Sequence, residues 1–312
     1  MSESLVDSVL RRQRWLDPVG DVLHGVIDST YHRLGRPGAM LRSAAHGTRV
    51  LGHPLHPALS DLPVGAWITA VVADYVAHFT TRLPTQAGDV ALAVALVGAF
   101  ASAGTGLTDF CDTYGHERRV VVSHGLGMTG AVLLGLASMG LRWWAGGDLH
   151  GLAVGLSTSG LALLLAAAYL GGHAVFGIGT MVNHLAFQEG PEEPVAVGLP
   201  GDFPEGEMRR VDAGGMAVLL VRRGGVLWGL ADVCSHAGGP LHEGTLEGNT
   251  VVCPWHGSRF RLDTGRPLRG PATFPQPTFT ITEDATGVTV RLGPPTPRPA
   301  VDLQEHRRPL AG

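Results

Sequence analysis

The chain has no lysine at all. Every one of its 23 basic residues is arginine, a compositional bias with no particular chemistry attached. Charge of either sign is scarce. Asp, Glu, Lys and Arg make up 16% of the 312 residues, against about 25% in ordinary soluble domains. A net charge of -4 and a pI near 6.4 give no sign of nucleic-acid binding, whose proteins carry a basic patch or stripe. Three cysteines, Cys111, Cys234 and Cys253, are too few for a disulfide framework. The first 30 residues hold no apolar core of signal-peptide length. Arg11-Arg12 suggests a twin-arginine export signal, but a polar amphipathic stretch follows it.

What the chain has instead is apolar length. Mean hydropathy is +0.17 and the hydrophobic fraction 45%. Four segments, 58–79, 89–107, 120–144 and 152–170, approach or exceed the ~20 residues that cross a bilayer core. Their Gly, Ala and Ser suit close helix contact in lipid; four buried soluble helices are the alternative. Short polar connectors, TTRLPTQAG, TDFCDTYGHERR and AGGDLH, separate them.

Orientation follows from the arginines. Arg11, Arg12, Arg14, Arg33, Arg36, Arg42 and Arg49 precede the first span, and Arg118 and Arg119 lie between the second and third. The other side has Arg82 and Arg142. Both the N-terminus and the C-terminal half are therefore expected on the cytoplasmic side of an inner membrane. Ahead of the spans, Val19, Val22, Leu23, Val26, Ile27 and Leu34 mark one helix face, with Asp17 as N-cap and Pro18 in the first helical position. That face is expected to lie against the membrane surface or the bundle, though a soluble arm fits the pattern as well.

Histidines gather at the cytoplasmic helix ends. GHPLHP carries His53 and His56, His116 and His124 open the third span, and His173 and His184 follow the fourth. His78 and His150 fall on the other side. Three readings of His56 and His124 stand side by side: hydrogen bonds to each other or to Asp61 and Asp109, ligation of a haem b, or the lining of a quinone pocket. Asp74 and His78, four residues apart, are expected to face one another at the membrane interface. Cys111 reads as an ordinary small residue at the membrane edge.

The C-terminal third has different chemistry. ADVCSHAGGPLHEG holds Cys234 and His236, and CPWHGSRF holds Cys253 and His256. The pattern is C-x-H, 16 residues, then C-x₂-H. Cys₂His₂ zinc is one reading. Short segments of apolar alternation, VAVG, MAVLLVRR, VLWGLAD, TVVCP, RFRLD, TFTITE and GVTVRL, predict strands. Turns are expected at Gly224-Gly225 and at 263–265. The predicted fold is thus an all-α four-helix transmembrane bundle followed by an all-β antiparallel barrel.

These two loops, with Gly238, Pro254, Gly257 and Ser258, resemble the Rieske domain over about residues 195–292. The resemblance implies a [2Fe–2S] cluster on Cys234, Cys253, His236 and His256. Within that family the loops look like Rieske ferredoxins and the small subunit of assimilatory nitrite reductases. Gly239 and Trp255 stand where quinol-oxidising members have a disulfide, and Phe260 where they have a tyrosine. Fewer hydrogen bonds near the cluster imply a potential in the lower half of the roughly -150 to +300 mV Rieske range. His242 reads as a surface residue. The segment after Leu292, with His306, is expected to be too short for an oxygenase catalytic domain. GHPLHPALSDLPVG, TGLTDF, His124 and the GGH after the fourth span resemble a bacterial four-helix membrane family of unknown function. Ser60-Asp61 stands where that family commonly has a histidine.

The expected organisation is an amphipathic region over 1–50, a membrane domain over 51–187, a linker over 188–194, a Rieske domain over 195–293 and a Pro/Arg-rich tail over 294–312. The expected function is membrane-anchored electron transfer between redox proteins, with a redox sensor or a quinone-linked oxidoreductase as alternatives.

Overall fold

The computed structural model describes residues 5–48, 51–80, 82–144 and 149–295. Arg49, the centre of the last interhelical connector, His306 and the tail from 296 lie outside them. Seven α-helices lead the described chain: α1 (Leu5–Leu10), α2 (Leu16–Arg33), α3 (Gly35–Ala45), α4 (Leu55–Phe79), α5 (Gln86–Phe110), α6 (Gly115–Trp144) and α7 (His150–His173). A π-helical turn, Ala174–Ile178, continues α7. Helices α4 to α7, the last with its π turn, are each long and apolar enough to cross a membrane.

Each span is longer than its apolar run because polar residues at the ends keep helical hydrogen bonds in water. Pro54, in extended geometry (ψ 131°), leads directly into α4, so GHPLHP sets that helix start. Helices α4 and α5 form one antiparallel pair, and α6 and α7 another. Trp67 fills the centre, fully buried, its Nε1 donating to Ser157 O at 3.0 Å. Gly135 and Gly160 make room for it: a Cβ there would come within 2.5 and 2.8 Å of the indole. This is why small residues recur in these spans. Their outward apolar side chains, Val72, Val97, Phe100 and Leu133 among them, are exposed on the isolated chain, as lipid-facing residues would be.

Three expectations about this half are corrected. Asp17 does not cap α2. Trp15 precedes the helix, and Asp17 reaches across to Arg119, Oδ1 to Nε at 2.6 Å and Oδ2 to Nη2 at 2.7 Å. The expected apolar face also divides. Leu23 and Ile27 pack with Leu16, Phe110 and Val122, whereas Val19, Val22, Val26 and Leu34 are exposed. Asp74 does not face His78 either. It is buried against Arg142, Oδ1 to Nη1 at 2.9 Å, and Arg142 also donates to Asp89 Oδ1 at 2.7 Å. A guanidinium beside a bilayer segment needs anionic partners, and a carboxylate on the facing helix outcompetes a neutral ring four residues away.

Among the described residues the β-half contains ten strands in three antiparallel sheets: β1 (Val195–Gly198), β10 (Gly287–Leu292) and β9 (Phe279–Asp284); β2 (Met208–Ala213), β3 (Met216–Arg223) and β4 (Val226–Ala231); and β5 (Thr245–Glu247), β6 (Thr250–Val252), β7 (Arg259–Arg261) and β8 (Pro267–Arg269). Strands β2, β5 and β8 had no clear alternation and were not predicted. Gly224 and Gly225 turn β3 into β4 with φ of 60° and 73°, values that favour glycine. Leu219, Val221, Trp228, Leu230, Val251, Phe260 and Leu262 form a core beneath the two cysteine-bearing loops.

Candidate metal centre

The first loop leaves β4 and the second joins β6 to β7, so both emerge at one end of this core. Each loop closes on itself. Cys234 N–H donates to Gly239 O (2.8 Å) and Gly238 N–H to Cys234 O (2.9 Å). Cys253 N–H donates to Ser258 O (2.8 Å) and Gly257 N–H to Cys253 O (3.1 Å). Gly238 and Gly257 take φ of 80° and 70°, the backbone that lets each loop turn after its histidine.

The four predicted residues meet there. Cys234 and Cys253 are buried free thiols, and the imidazoles of His236 and His256 lie 4.9 Å apart, perpendicular to each other. The Cys234 thiol donates to Cys253. That bond holds the Cys253 thiol down to about 7 against its burial, with backbone N–H groups of Trp255 and His256 helping, and pushes Cys234 far up. Burial holds both histidines below their ordinary range, hence neutral and able to ligate. His236 Nδ1 is buried without a hydrogen-bond partner, an atom whose desolvation is otherwise uncompensated. Among the described residues no three His, Cys, Asp or Glu side chains surround one point. Two thiols and two neutral imidazoles fit a two-iron cluster with sulfur on one iron and nitrogen on the other, whereas a single tetrahedral zinc needs all four donors around one point.

Comparison with known proteins agrees. Residues 193–280 match the family model described as Rieske [2Fe-2S] domain. Ferredoxin CarAc of Metapseudomonas resinovorans is 40% identical over 81 residues, 26% of this chain and 76% of that protein. The chain belongs to the Rieske [2Fe–2S] domain family. The ferredoxin component of biphenyl 2,3-dioxygenase from Rhodococcus jostii (strain RHA1) is 37% identical over 92 residues, 30% of this chain and 86% of that protein. The ferredoxin subunit of 3-phenylpropionate/cinnamic acid dioxygenase from Escherichia coli (strain K12) is also 37% identical over 92 residues, covering 29% and 86%. Residues 52–184 match a second model, Predicted membrane protein (DUF2231). A Rieske domain implies a [2Fe–2S] cluster.

Some features of the Rieske tip were not legible in sequence. Gln276 is buried 41 residues beyond the first loop, its Oε1 accepting from Ser235 N–H at 3.2 Å and its Nε2 donating to Val233 O at 2.9 Å. A glutamine between prolines gave no local sign of this. His242, expected at the surface, is half-buried, its Nδ1 2.7 Å from Asp232 Oδ2 and its N–H donating to Asp232 Oδ1 at 2.8 Å. Asp232 lies two residues before Cys234, so the pair braces the loop base. Gly239 is tight: a Cβ would sit 3.0 Å from both Cys253 Sγ and the Trp255 ring. Phe260 is fully buried, and the Ser258 hydroxyl accepts from Ala272 N–H at 2.9 Å.

The tip rests on the membrane domain. Thr48 Oγ1 donates to Ala272 O (3.1 Å), and His184 N–H donates to Ser235 O (3.1 Å). His46, buried beneath, places Nδ1 2.9 Å from Asp109 Oδ1. Between the helix ends and His236 lies a cavity of about 230 Å³ whose lining includes Asp109, Tyr114, Glu117, Thr180 and His184.

His56 and His124 also come together, with ring centroids 6.3 Å apart and planes at 77°. Neither bonds to Asp61 or Asp109, as one expectation had it; Asp109 is taken by His46, and Asp61 is exposed. The rings' Nδ1 atoms instead lie 2.9 Å from Ser102 O and 2.8 Å from Ala167 O. Since α6 begins at Gly115, His124 lies roughly 14 Å along it, farther from the helix start than the predicted span limits implied. Cys111 is buried at the end of α5, its Sγ directed to Leu107 O.

Proposed function

We propose that this protein is a membrane-anchored carrier of single electrons, with Cys234, Cys253, His236 and His256 as ligands of its [2Fe–2S] cluster. The observation that carries the reading is a sulfur pair and an imidazole pair at one tip, with His236 Nδ1 buried and unpartnered. When bound, the cluster takes up and releases one electron at a time. The residues contribute the rest. Both thiols would surrender their protons on metal loading, the neutral imidazoles stand toward the membrane domain, and Gln276 and Asp232 hold the loop that bears Cys234.

The ferredoxin components among the relatives support a redox-protein donor or acceptor. The arginine distribution supports a bacterial inner-membrane location with the Rieske domain in the cytoplasm. The domain limits 51–187 and 195–293, joined by 188–194, are part of this proposal. On the membrane side the electron partner is a haem or a quinone at His56 and His124. A quinone-linked oxidoreductase is the second reading, favoured by the cavity beside His236 with its carboxyl and hydroxyl lining.

The test is electron paramagnetic resonance of the protein, purified in mild detergent and iron-loaded, before and after dithionite. A Rieske signal on reduction, lost in Cys234→Ser and His236→Ala, is the expected result. Iron-loaded protein without that signal would overturn the reading. Turnover of an added quinol would select the second.

A further inference from the structure

We infer that His56 and His124 are the two axial ligands of one haem, an inference that rests on the redox role proposed for the membrane domain. The first argument is the tautomer. Each Nδ1 faces a backbone carbonyl oxygen, at 2.9 Å from Ser102 O and 2.8 Å from Ala167 O, and His56 Nδ1 also lies 3.2 Å from Ser102 Oγ, a longer contact in which the hydroxyl oxygen accepts alongside the carbonyl. A carbonyl only accepts, so both Nδ1 atoms carry the hydrogen and both lone pairs sit on Nε2. Such nitrogens are metal ligands. They cannot donate to the carbonyl oxygen of an oxidised quinone.

The second argument is distance. Imidazole nitrogen binds a transition-metal ion at about 2.0–2.1 Å, and the nitrogen lies roughly 1.1 Å from its ring centre, so two rings across one ion have centroids about 6.3 Å apart. The observed separation is 6.3 Å. Behind the rings the helices leave no slack. A Cβ at Gly106 would come 2.8 Å from the His56 ring, and one at Gly171 3.0 Å from the His124 ring.

The third argument is ligand number. Among the described residues no third His, Cys, Asp or Glu joins this pair. Zinc and copper sites built on imidazole take three or more protein ligands. An ion held here must bring its equatorial ligands with it. An iron porphyrin brings four nitrogens in one plane and leaves two opposite positions for imidazole. The site lies at the bundle end that the Rieske tip caps.

The experiment is visible absorption and haem content of the full chain, made in cells supplied with a haem precursor and purified in detergent. One low-spin haem per chain is expected. His56→Ala and His124→Gly should each abolish the low-spin bands, while His53→Ala, at an exposed neighbour whose Nδ1 lies 3.0 Å from Pro54 O, should keep them. Added imidazole should restore the bands in His124→Gly, which a purely structural role for His124 would not produce. The Rieske signal, read in the same samples, reports folding. Haem-free chain with that signal intact, or haem retained by both variants, would overturn the inference. Haem without a Rieske signal would instead defeat the electron-carrier reading and leave this one standing.

Discussion

The Tyr114 ring lies over the His256 imidazole, with centroids 6.0 Å apart and planes at 25°, and meets Trp255 edge-on at 6.5 Å. Tyr114 belongs to the turn before α6. One aromatic side chain of the membrane domain thus covers one of the two proposed histidine ligands. Interdomain contacts of this polar kind open readily unless something holds them. Aromatic pairs contribute about 0.5–1.5 kcal/mol beyond their buried area. Tyr114→Ala should therefore loosen docking, read as faster hydrogen exchange of the Gly270 amide, which faces Ser43 Oγ across the interface at 3.4 Å. Tyr114→Phe keeps the stack and should leave that exchange unchanged.

Gly239 is a steric requirement of the cysteine pair. An added methyl 3.0 Å from Cys253 Sγ must displace either that sulfur or the Trp255 ring. Gly239→Ala should lower bound iron and acid-labile sulfide several-fold while far-ultraviolet circular dichroism stays that of the folded chain. Gly201→Ala, where a Cβ meets nothing within 4 Å, should leave both unchanged.

The Arg142–Asp74 pair is buried on both sides, at 1% and 0% side-chain exposure. Removing one partner of a buried pair costs about 3–5 kcal/mol, and Asp89, 26% exposed and 2.7 Å from Arg142 Nη1, offsets only part of that loss. Asp74→Ala should thus strongly lower the unfolding transition of the membrane domain in detergent. Asp74→Ala combined with Arg142→Met should recover much of that loss. A double variant as unstable as the single would refute the argument.

Glu205 accepts hydrogen bonds from Gly224 N–H at 2.6 Å and Gly225 N–H at 3.1 Å, and these hold its carboxyl below the usual glutamate range. A carboxyl whose folded value is depressed stabilises the fold above its unfolded value, near 4.3, and loses that contribution as pH falls through the folded one. Glu205→Gln should therefore unfold at lower temperature than the wild type at pH 7. The two melting curves should converge below about pH 4.

Much of this could be read from local pattern. Apolar length predicts four spans because a bilayer tolerates only satisfied backbone, and the helices found enclose every predicted segment. The spacing of Cys234, His236, Cys253 and His256 predicts two ligand-bearing loops, and they meet at one tip. The misses share a cause. Asp17 with Arg119, Asp74 with Arg142, and His46 with Asp109 each join residues on different helices, and helical periodicity says nothing about which charge lies opposite which. Strands β2, β5 and β8, MRRVDA, TLE and PLR, carry too few apolar residues for alternation to register.

The sequence by itself determined that this chain joins four long apolar helices to a C-terminal Rieske domain, because apolar length and ligand spacing are properties of contiguous residues. Only the tertiary structure decided that Gln276 holds the first loop, that Tyr114 covers His256, and that His56 and His124 face each other 6.3 Å apart. Each of those is a distance between residues far apart in the chain, set by how the helix ends and the β-sheets pack.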